Sequence, residues 1–462
     1  MEIVQLVEKK VLQFAEIVLD VLEGGIGYQT FEKRLKTELD NLGVEIIKEV
    51  IEAIDLQIKQ EKSMRKGYQV VRSGDSKTLL TLLGELTYSR TYYRDQETRE
   101  YAYLADQKVG ITPHMRVEPT VKAELLESAA HMSYERATVQ QSQHAPELKV
   151  SRQSVCTAVK DFKAQEPPPP LTKKQVKNLY IQADEDHIAV RSRRGSQARL
   201  IYIHEGYGNR PRRHLKNARY FTSVAQNPLE FWFEICDYIA QHYDLCCLEG
   251  VYISGDGASW IHTGVEAIPN ATFILDRFHL AKYIITASAH VEGLKRKLFH
   301  HIRCLDKEKV MANLEGALEL ADSQARKERV RKTMTYIKNN WEGIQAAIEN
   351  PQITCSAEGH VSHILSARMS SRPMAWSLEG AGNMASMLAV RANKESITDH
   401  YLSSWNEKLP VLEITEEVQK QVQYLKAKIK AGKENVGNMP LTQSGVSLTR
   451  ETLQGLKGRR VG

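Results

Sequence analysis

The stretch LEGVYISGDGASWI, Leu248 to Ile261, decides the fold. An apolar run rises through Val251, Tyr252 and Ile253 to Ser254 and Gly255, then stops at Asp256. Gly257 follows, and ASWIHTGVEAI reads as a short helix. A strand that ends on a carboxylate and runs into a helix is half of a β-α-β unit. In an open α/β sheet, ligands sit at the carboxyl ends of such strands. The two glycines flanking Asp256 read as residues that clear the space around it.

The same grammar extends in both directions. Upstream, NLYIQADEDHIAVRS, ARLIYIHEGYG and ARYFTSV read as three strands, and PLEFWFEICDYIAQHY as a helix with a bulky apolar face. Downstream, NATFILDRFHL reads as a further strand. Three strands, a helix, a strand, a helix and a strand is the order of a ribonuclease-H-like fold. The crossovers between the later strands require parallel neighbours. The expected fold class is therefore α/β, with this core over 176–282 and 351–414 and a helical insertion over 283–350.

The N-terminal part is mainly helical. Residues 1–66 read as amphipathic helices, with Leu39, Leu42, Ile46, Ile47, Val50, Ile51 and Ile54 at helical spacing, forming a hairpin or a dimerisation element. Residues 67–113 read as a small β element: GELTYSRTYYRD alternates with period two, and REYAYLADQ returns as a second strand. Residues 114–165 read as three short helices with Pro119 near the start of the first and Ser151 as N-cap of the last. That triplet has the spacing of a helix-turn-helix, in which Arg152 and Gln153 would face base edges in a major groove. A plain packing module has the same spacing. EPPPPLTKKQ, residues 166–175, is a stiff linker and marks a boundary. Residues 415–462 read as a basic, loosely ordered tail.

Bulk composition narrows the class. The chain has 462 residues, 42% hydrophobic and 26% charged, with net charge +6. That balance suits a soluble protein and is compatible with a nucleic-acid partner. The first twenty residues interrupt their apolar positions with Glu2, Glu8, Lys9 and Lys10, so they read as neither a signal peptide nor a membrane span. Six cysteines without a CxxC pair fit a reducing cytoplasm and exclude a zinc ribbon.

The acids carry the chemical expectation. Alternation along YIQADEDHIAV puts Gln182, Asp184 and Asp186 on one face, and Ile181, Ala183, Glu185 and His187 on the other. A carboxylate within a central strand is costly unless it is paired or bound to metal. Asp256 ends the neighbouring strand. Glu358, two residues after the N-cap candidate Ser356, would project from the first turn of a later helix. Asp276 ends the last strand, and His279 follows three residues on, a pair that reads either as catalytic or as a brace of the site through a hydrogen bond. Three carboxylates suit divalent magnesium, which takes oxygen ligands and keeps several waters. Two such ions activate the attacking oxygen and stabilise the leaving oxygen of a phosphodiester. Between two strands, GNRPRRHLKNARYF gathers Arg210, Arg212, Arg213 and Lys216 in a loop that reads either as a phosphate contact or as a solvated hairpin.

At these residues the chain resembles the ISLre (type two) insertion-sequence transposases of bacteria, which are related to Mutator-like transposases. YIQADEDHI, ISGDGASWI, FILDRFHLAKYI and EGHVSHILSARMSSRPMAWS carry the resemblance in order, with GELTYSRTYYRD, MSYERA and SRQSV in the N-terminal part. The resemblance implies a DDE transposase. Asp184, Asp256 and Glu358 would be its catalytic, metal-binding acids, with Asp276 and His279 as its D-x-x-H pair. It is the resemblance that selects Asp184 over Asp186. It further implies two magnesium ions, with manganese as a substitute. The partners would be transposon ends and target DNA, held by a homodimer or larger assembly. The setting would be the bacterial cytoplasm, at the nucleoid. Two other readings share the acids: a ribonuclease-H-like nuclease without strand transfer, and a non-catalytic DNA-binding protein derived from a transposase.

Overall fold

The computed structural model describes residues 3–144, 150–208, 214–372 and 374–406. In chain order the elements begin with helices α1 (Ile3–Leu22) and α2 (Tyr28–Gln60). Strands β1 (Tyr68–Thr81), β2 (Gly84–Asp95) and β3 (Tyr101–Ala102) follow, then helices α3 (Leu104–Lys108), α4 (Pro119–His131), α5 (Tyr134–His144) and α6 (Arg152–Asp161). The central sheet begins with β4 (Asn178–Val190) and β5 (Arg193–His204), a small arm β6 (Tyr207–Gly208) and β7 (His214–Leu215), and β8 (Arg219–Val224). Then come α7 (Pro228–His242), β9 (Gly250–Gly255), α8 (Ser259–Ala267) and β10 (Ala271–Leu275). Helices α9 (Arg277–Ser288), α10 (Leu294–Arg303), α11 (Lys307–Glu319), α12 (Gln324–Asn339) and α13 (Trp341–Glu349) form one run. The last elements are α14 (Ala357–Val361), a π-helical turn Ser362–Ser366, α15 (Ala367–Met369), α16 (Leu378–Ala392) and α17 (Ile397–Asn406).

The fold class is α/β, as expected. The central sheet has the order β10-β9-β4-β5-β8. β4, β5 and β8 are antiparallel neighbours, and β9 and β10 run parallel to β4. The two parallel pairings follow from the two helical crossovers, α7 and α8, which carry the chain back to the same end of the sheet each time.

Alternation divides the sheet's side chains between two cores. Leu179, Ile181, Ala183, Ile201 and Ile203 face α7, α8 and the helical run α9–α13. Ile188, Val190, Leu200 and Tyr202 face the other way, against α16 and α17. Val121, Leu125, Val155 and Val159 of α4 and α6 belong to this second core. The helix triplet thus packs into the same core as the C-terminal helices. Arg368 ties the two parts: its Nε donates to the Ala129 carbonyl at 2.7 Å, within the last turn of α4.

Two local expectations need correction. REYAYLADQ does not return as a full strand; only Tyr101–Ala102 pairs with β2, and Leu104–Lys108 turns into helix α3. The reason is Asp106, whose carboxylate accepts from the Tyr88 hydroxyl at 2.7 Å and pairs with Arg90, so α3 closes over the β1–β2 face. In α2, Ile51 and Ile58 are buried, but Leu39 and Val50 are exposed. The long helix meets the small sheet along only part of its length. The tail 415–462 lies outside the described residues. Among the described residues no helix is long and apolar enough to cross a membrane.

Candidate functional site

Register brings three aspartates to one level. β4 and β9 pair in parallel up to Gln182 with Ser254, so Asp184 and Asp256 each lie two residues past the last pair. β10 and β9 pair up to Leu275 with Gly255, so Asp276 lies one residue past it, level with Asp256. The Asp276 N–H donates to the Gly255 carbonyl at 2.8 Å, which extends that ladder by one bond. Three adjacent parallel strands therefore deliver carboxylates to the same edge of the sheet.

Each carboxylate is held differently. Asp184 accepts the Glu185 N–H at 2.8 Å. Burial pushes its carboxyl up to about 7; that one N–H opposes the shift, and the Asp256 charge adds to it. Asp256 caps the turn into α8, accepting the Ala258 N–H at 2.9 Å. Asp276 is the N-cap of α9, accepting from the Phe278 N–H at 3.0 Å with one oxygen and from His279 Nδ1 at 2.8 Å with the other. That bond raises the His279 pKa; partial burial opposes it, and the charges of Asp276, Asp256 and Asp184 add to it. The imidazole is thus drawn toward its cationic form beside three acids.

The glycines beside Asp256 serve packing rather than space for a ligand. A Cβ on Gly255 would meet Ile261 Cδ1 at 2.5 Å and the Ala183 carbonyl oxygen at 2.8 Å. Gly257 has φ +89°, and a Cβ there would meet Asn340 Oδ1 at 2.4 Å. The expectation that they clear the carboxylate's surroundings is corrected: they let β4, α8 and the helical run approach the loop. The Tyr336 hydroxyl, from α12, donates to the Asp256 carbonyl at 2.7 Å. Tyr336 is a residue of this site that no pattern in the sequence marked, because it reaches Asp256 from eighty positions away in the chain.

Glu358 is not gathered with the aspartates. It lies in the first turn of α14 and is exposed. Among the described residues, no three His, Cys, Asp or Glu side chains stand close enough to hold one ion. Ser356 occupies the N-cap position, but its hydroxyl does not cap the helix. It turns instead to Gln182 Oε1 at 3.2 Å, and the Ser356 N–H donates to the same oxygen at 2.7 Å. Gln182 is buried and also accepts the Tyr202 hydroxyl at 2.6 Å. It anchors the start of α14 two residues from Asp184 on the same strand face. The alternation that isolated Gln182 was visible in the sequence; its partners were not. Asp186 is bonded elsewhere, accepting the Ser370 hydroxyl at 2.6 Å.

Asp184 and Asp256 fit a divalent cation by their chemistry. A buried carboxylate beside a second acid is satisfied by a positive ion. The site offers these two oxygen-donor groups, and Glu358 stays outside.

The expected DNA contacts are placed as follows. Arg152 and Gln153 are exposed in the first turn of α6, which Ser151 caps by accepting the Ser154 N–H at 3.2 Å. Val155, Ala158 and Val159 bury the opposite side. Lys216 is exposed after β7, and Arg210, Arg212 and Arg213 lie outside the described residues.

Comparison with known proteins gives one family and a set of close relatives. The model of the Uncharacterised protein family (UPF0236) matches residues 21–408. UPF0236 protein TTE2489 of Caldanaerobacter subterraneus subsp. tengcongensis is 38% identical over 384 residues, covering 82% of this chain and 82% of that protein. From the same strain, UPF0236 protein TTE0610/TTE0881/TTE1053/TTE2432 is 38% identical over 384 residues, covering 82% and 81%. A third relative, 38% identical over 377 residues and covering 81% and 80%, bears a name that joins eleven locus designations, from TTE0033 to TTE2212.

Proposed function

We propose that this chain, which belongs to the Uncharacterised protein family (UPF0236), is a DDE transposase with a ribonuclease-H-like core: it binds transposon ends and performs metal-dependent cleavage and transfer of DNA strands. The observation that carries the reading is the level row of Asp184, Asp256 and Asp276 on three adjacent parallel strands. The mixed sheet of order β10-β9-β4-β5-β8, with three antiparallel strands and two parallel ones, supports the reading. The relative whose name joins eleven locus designations in one strain is consistent with an element that copies itself.

Asp184 and Asp256 would hold the metal, magnesium or manganese, with Glu358 as third ligand. Bound there, magnesium ions supply Lewis-acid activation of the attacking and leaving oxygens of a phosphodiester. The chain's own residues prepare the place. Asp276 orients His279 and raises its pKa, favouring the cationic imidazole beside the acids. Tyr336 pins the Asp256 loop to the helical insertion. Gln182 fixes the start of the helix that bears Glu358. The exposed first turn of α6 is the surface offered to terminal repeats, in a dimer or larger assembly that holds both ends.

One observation favours a second reading. The exposed position of Glu358, apart from the aspartates, suits a protein that binds DNA without cutting it. Magnesium-dependent cleavage of a labelled duplex carrying the element's own ends separates the two, with binding measured in parallel. Wild type is expected to cut at the end, and Asp256→Ala and Glu358→Ala to bind without cutting. Binding without cutting by wild type would establish the second reading, and equal cutting by all three would remove the acids from the mechanism. A strand-transfer assay with target DNA then separates a transposase from a nuclease.

A further inference from the structure

An open cleft of about 640 Å³ lies between the β6–β7 arm, the end of α16 and the start of α14. Its floor is aromatic. The His360 ring stacks on Tyr202 at 4.6 Å and on Tyr220 at 5.5 Å, and the Tyr220 hydroxyl meets His360 Nδ1 at 3.1 Å. Tyr202 and Tyr220 are themselves 5.2 Å apart on neighbouring strands, so the buried Tyr202 ring braces the two rings that line the cleft, His360 and Tyr220.

The rim is unusual in a second, independent way. Asn217 and Lys394 both line the cleft with left-handed backbone, φ +49° and +61°, and neither is glycine. Lys394 follows the C-cap of α16, a position where glycine is the common occupant. A lysine there accepts backbone strain and sets an exposed cationic side chain at the edge of the cleft. Asn393 fixes that edge, since its amide side chain accepts the Tyr220 N–H at 2.8 Å and donates to the Tyr220 carbonyl at 3.0 Å.

The cleft is linked to the elements that bear the acids. Ser356 lines its wall, two residues before Glu358, and is bonded to Gln182, two residues before Asp184. An aromatic floor with a cation at its edge, near carboxylates suited to phosphodiester chemistry, matches a single nucleotide. The ring surface takes a base of any identity by stacking, and the lysine takes its phosphate.

We propose that this cleft holds one unstacked nucleotide of the DNA strand that enters the acidic site, its base on His360 and Tyr220 and its phosphate on Lys394. The inference rests on the phosphodiester reading for the identity of the strand, and names the part of the substrate that this neighbouring cleft recognises.

The test uses the full chain and two probes: 2-aminopurine deoxynucleoside 5′-monophosphate alone, and a duplex whose unpaired 3′ overhang carries 2-aminopurine. Stacking on the cleft floor quenches the fluorescence of both. His360→Ala is expected to weaken nucleotide binding about tenfold or more. Lys394→Gly, which relieves the backbone strain and so keeps the fold, is expected to weaken it several-fold. Unchanged binding in folded Lys394→Gly and His360→Ala overturns the proposal. So does a wild type that cleaves DNA yet quenches neither probe, and that outcome leaves the transposase reading standing. Weakened binding in both variants supports the cleft even if Asp256→Ala leaves cleavage intact, in which case the transposase reading alone fails.

Discussion

Asp276 accepts a hydrogen bond from His279 Nδ1 at 2.8 Å, and that bond raises the pKa of the imidazole, with the Asp256 and Asp184 charges acting in the same direction. The pair spans a single helical turn, because Asp276 is the N-cap of α9 and the i, i+3 spacing places the imidazole above it. His279 has its pKa raised above the ordinary value of 6.5, so its stabilising contribution is fully present below 6.5 and is lost as pH rises through the raised folded value. Asp276→Asn is therefore expected to lower the His279 titration midpoint, followed by NMR of the metal-free protein. It should also cost about 1–3 kcal/mol of stability near pH 6, and less at pH 9. An unmoved midpoint would mean that the pair does not set the charge of this histidine.

Asp184 carries the opposite sign. Its carboxyl is pushed up to about 7 from 3.8, so the folded state holds a proton that the unfolded chain releases. The fold loses stability as pH rises from about 4 to about 7, and the full penalty applies above that range. Asp184→Asn should stabilise the metal-free protein at pH 8 by about 2–4 kcal/mol and have little effect at pH 4. Magnesium should raise the Tm of wild type and leave that of Asp184→Asn nearly unmoved. Equal shifts in both proteins would place the ion elsewhere.

The glycines at helix contacts are sensitive to a single methyl. A Cβ on Gly264 would meet Trp232 at 2.3 Å, and one on Gly343 would meet Phe273 at 2.4 Å. Gly264→Ala and Gly343→Ala should each cost about 1–3 kcal/mol. Gly316→Ala, with nothing within 4 Å, should be neutral or slightly stabilising. Thermal denaturation orders the three, and a Gly316→Ala as damaging as the others would show that space is not the cause.

Arg368 should behave as a tie that lysine cannot replace. Its guanidinium lies over Trp376 at 5.0 Å and Tyr134 at 5.7 Å while bonding the Ala129 carbonyl. Burial lowers its pKa, yet arginine stays charged. Arg368→Ala is expected to cost about 2–4 kcal/mol by leaving a cavity and an unpaired carbonyl. Arg368→Lys should recover little, since a point charge cannot stack and bond at once. Limited proteolysis should show earlier cleavage between α6 and β4 in both variants. Resistance equal to wild type would mean that the shared apolar core alone holds the helix triplet.

Much of this was legible in the chain. The period-two runs of β4, β5 and β9 gave their faces, and the helical crossovers required parallel neighbours, because those patterns depend only on backbone geometry and burial. Asp256 at its strand end, the i, i+3 spacing of Asp276 and His279, and Ser151 as a cap are local features that adjacent residues specify. The β3–α3 segment misled because YAYLADQ alternates like a strand, while Asp106 is claimed by Tyr88 and Arg90 across the fold.

What only the tertiary structure decided is which distant groups meet. Register aligned Asp184, Asp256 and Asp276, while Asp186, on the same strand face as Asp184, went to Ser370. The glycines beside Asp256 were settled by Asn340 and Ile261, one of them far away in the chain. Tyr336 reached the Asp256 loop, Ser356 turned to Gln182 instead of capping its helix, and Glu358 lies exposed. Periodicity is a property of neighbours, whereas hydrogen bonding, packing and charge are satisfied by whichever group the folded chain brings within reach. The sequence by itself therefore determined the strands and the acids at their ends, and the fold determined which of those acids share a site.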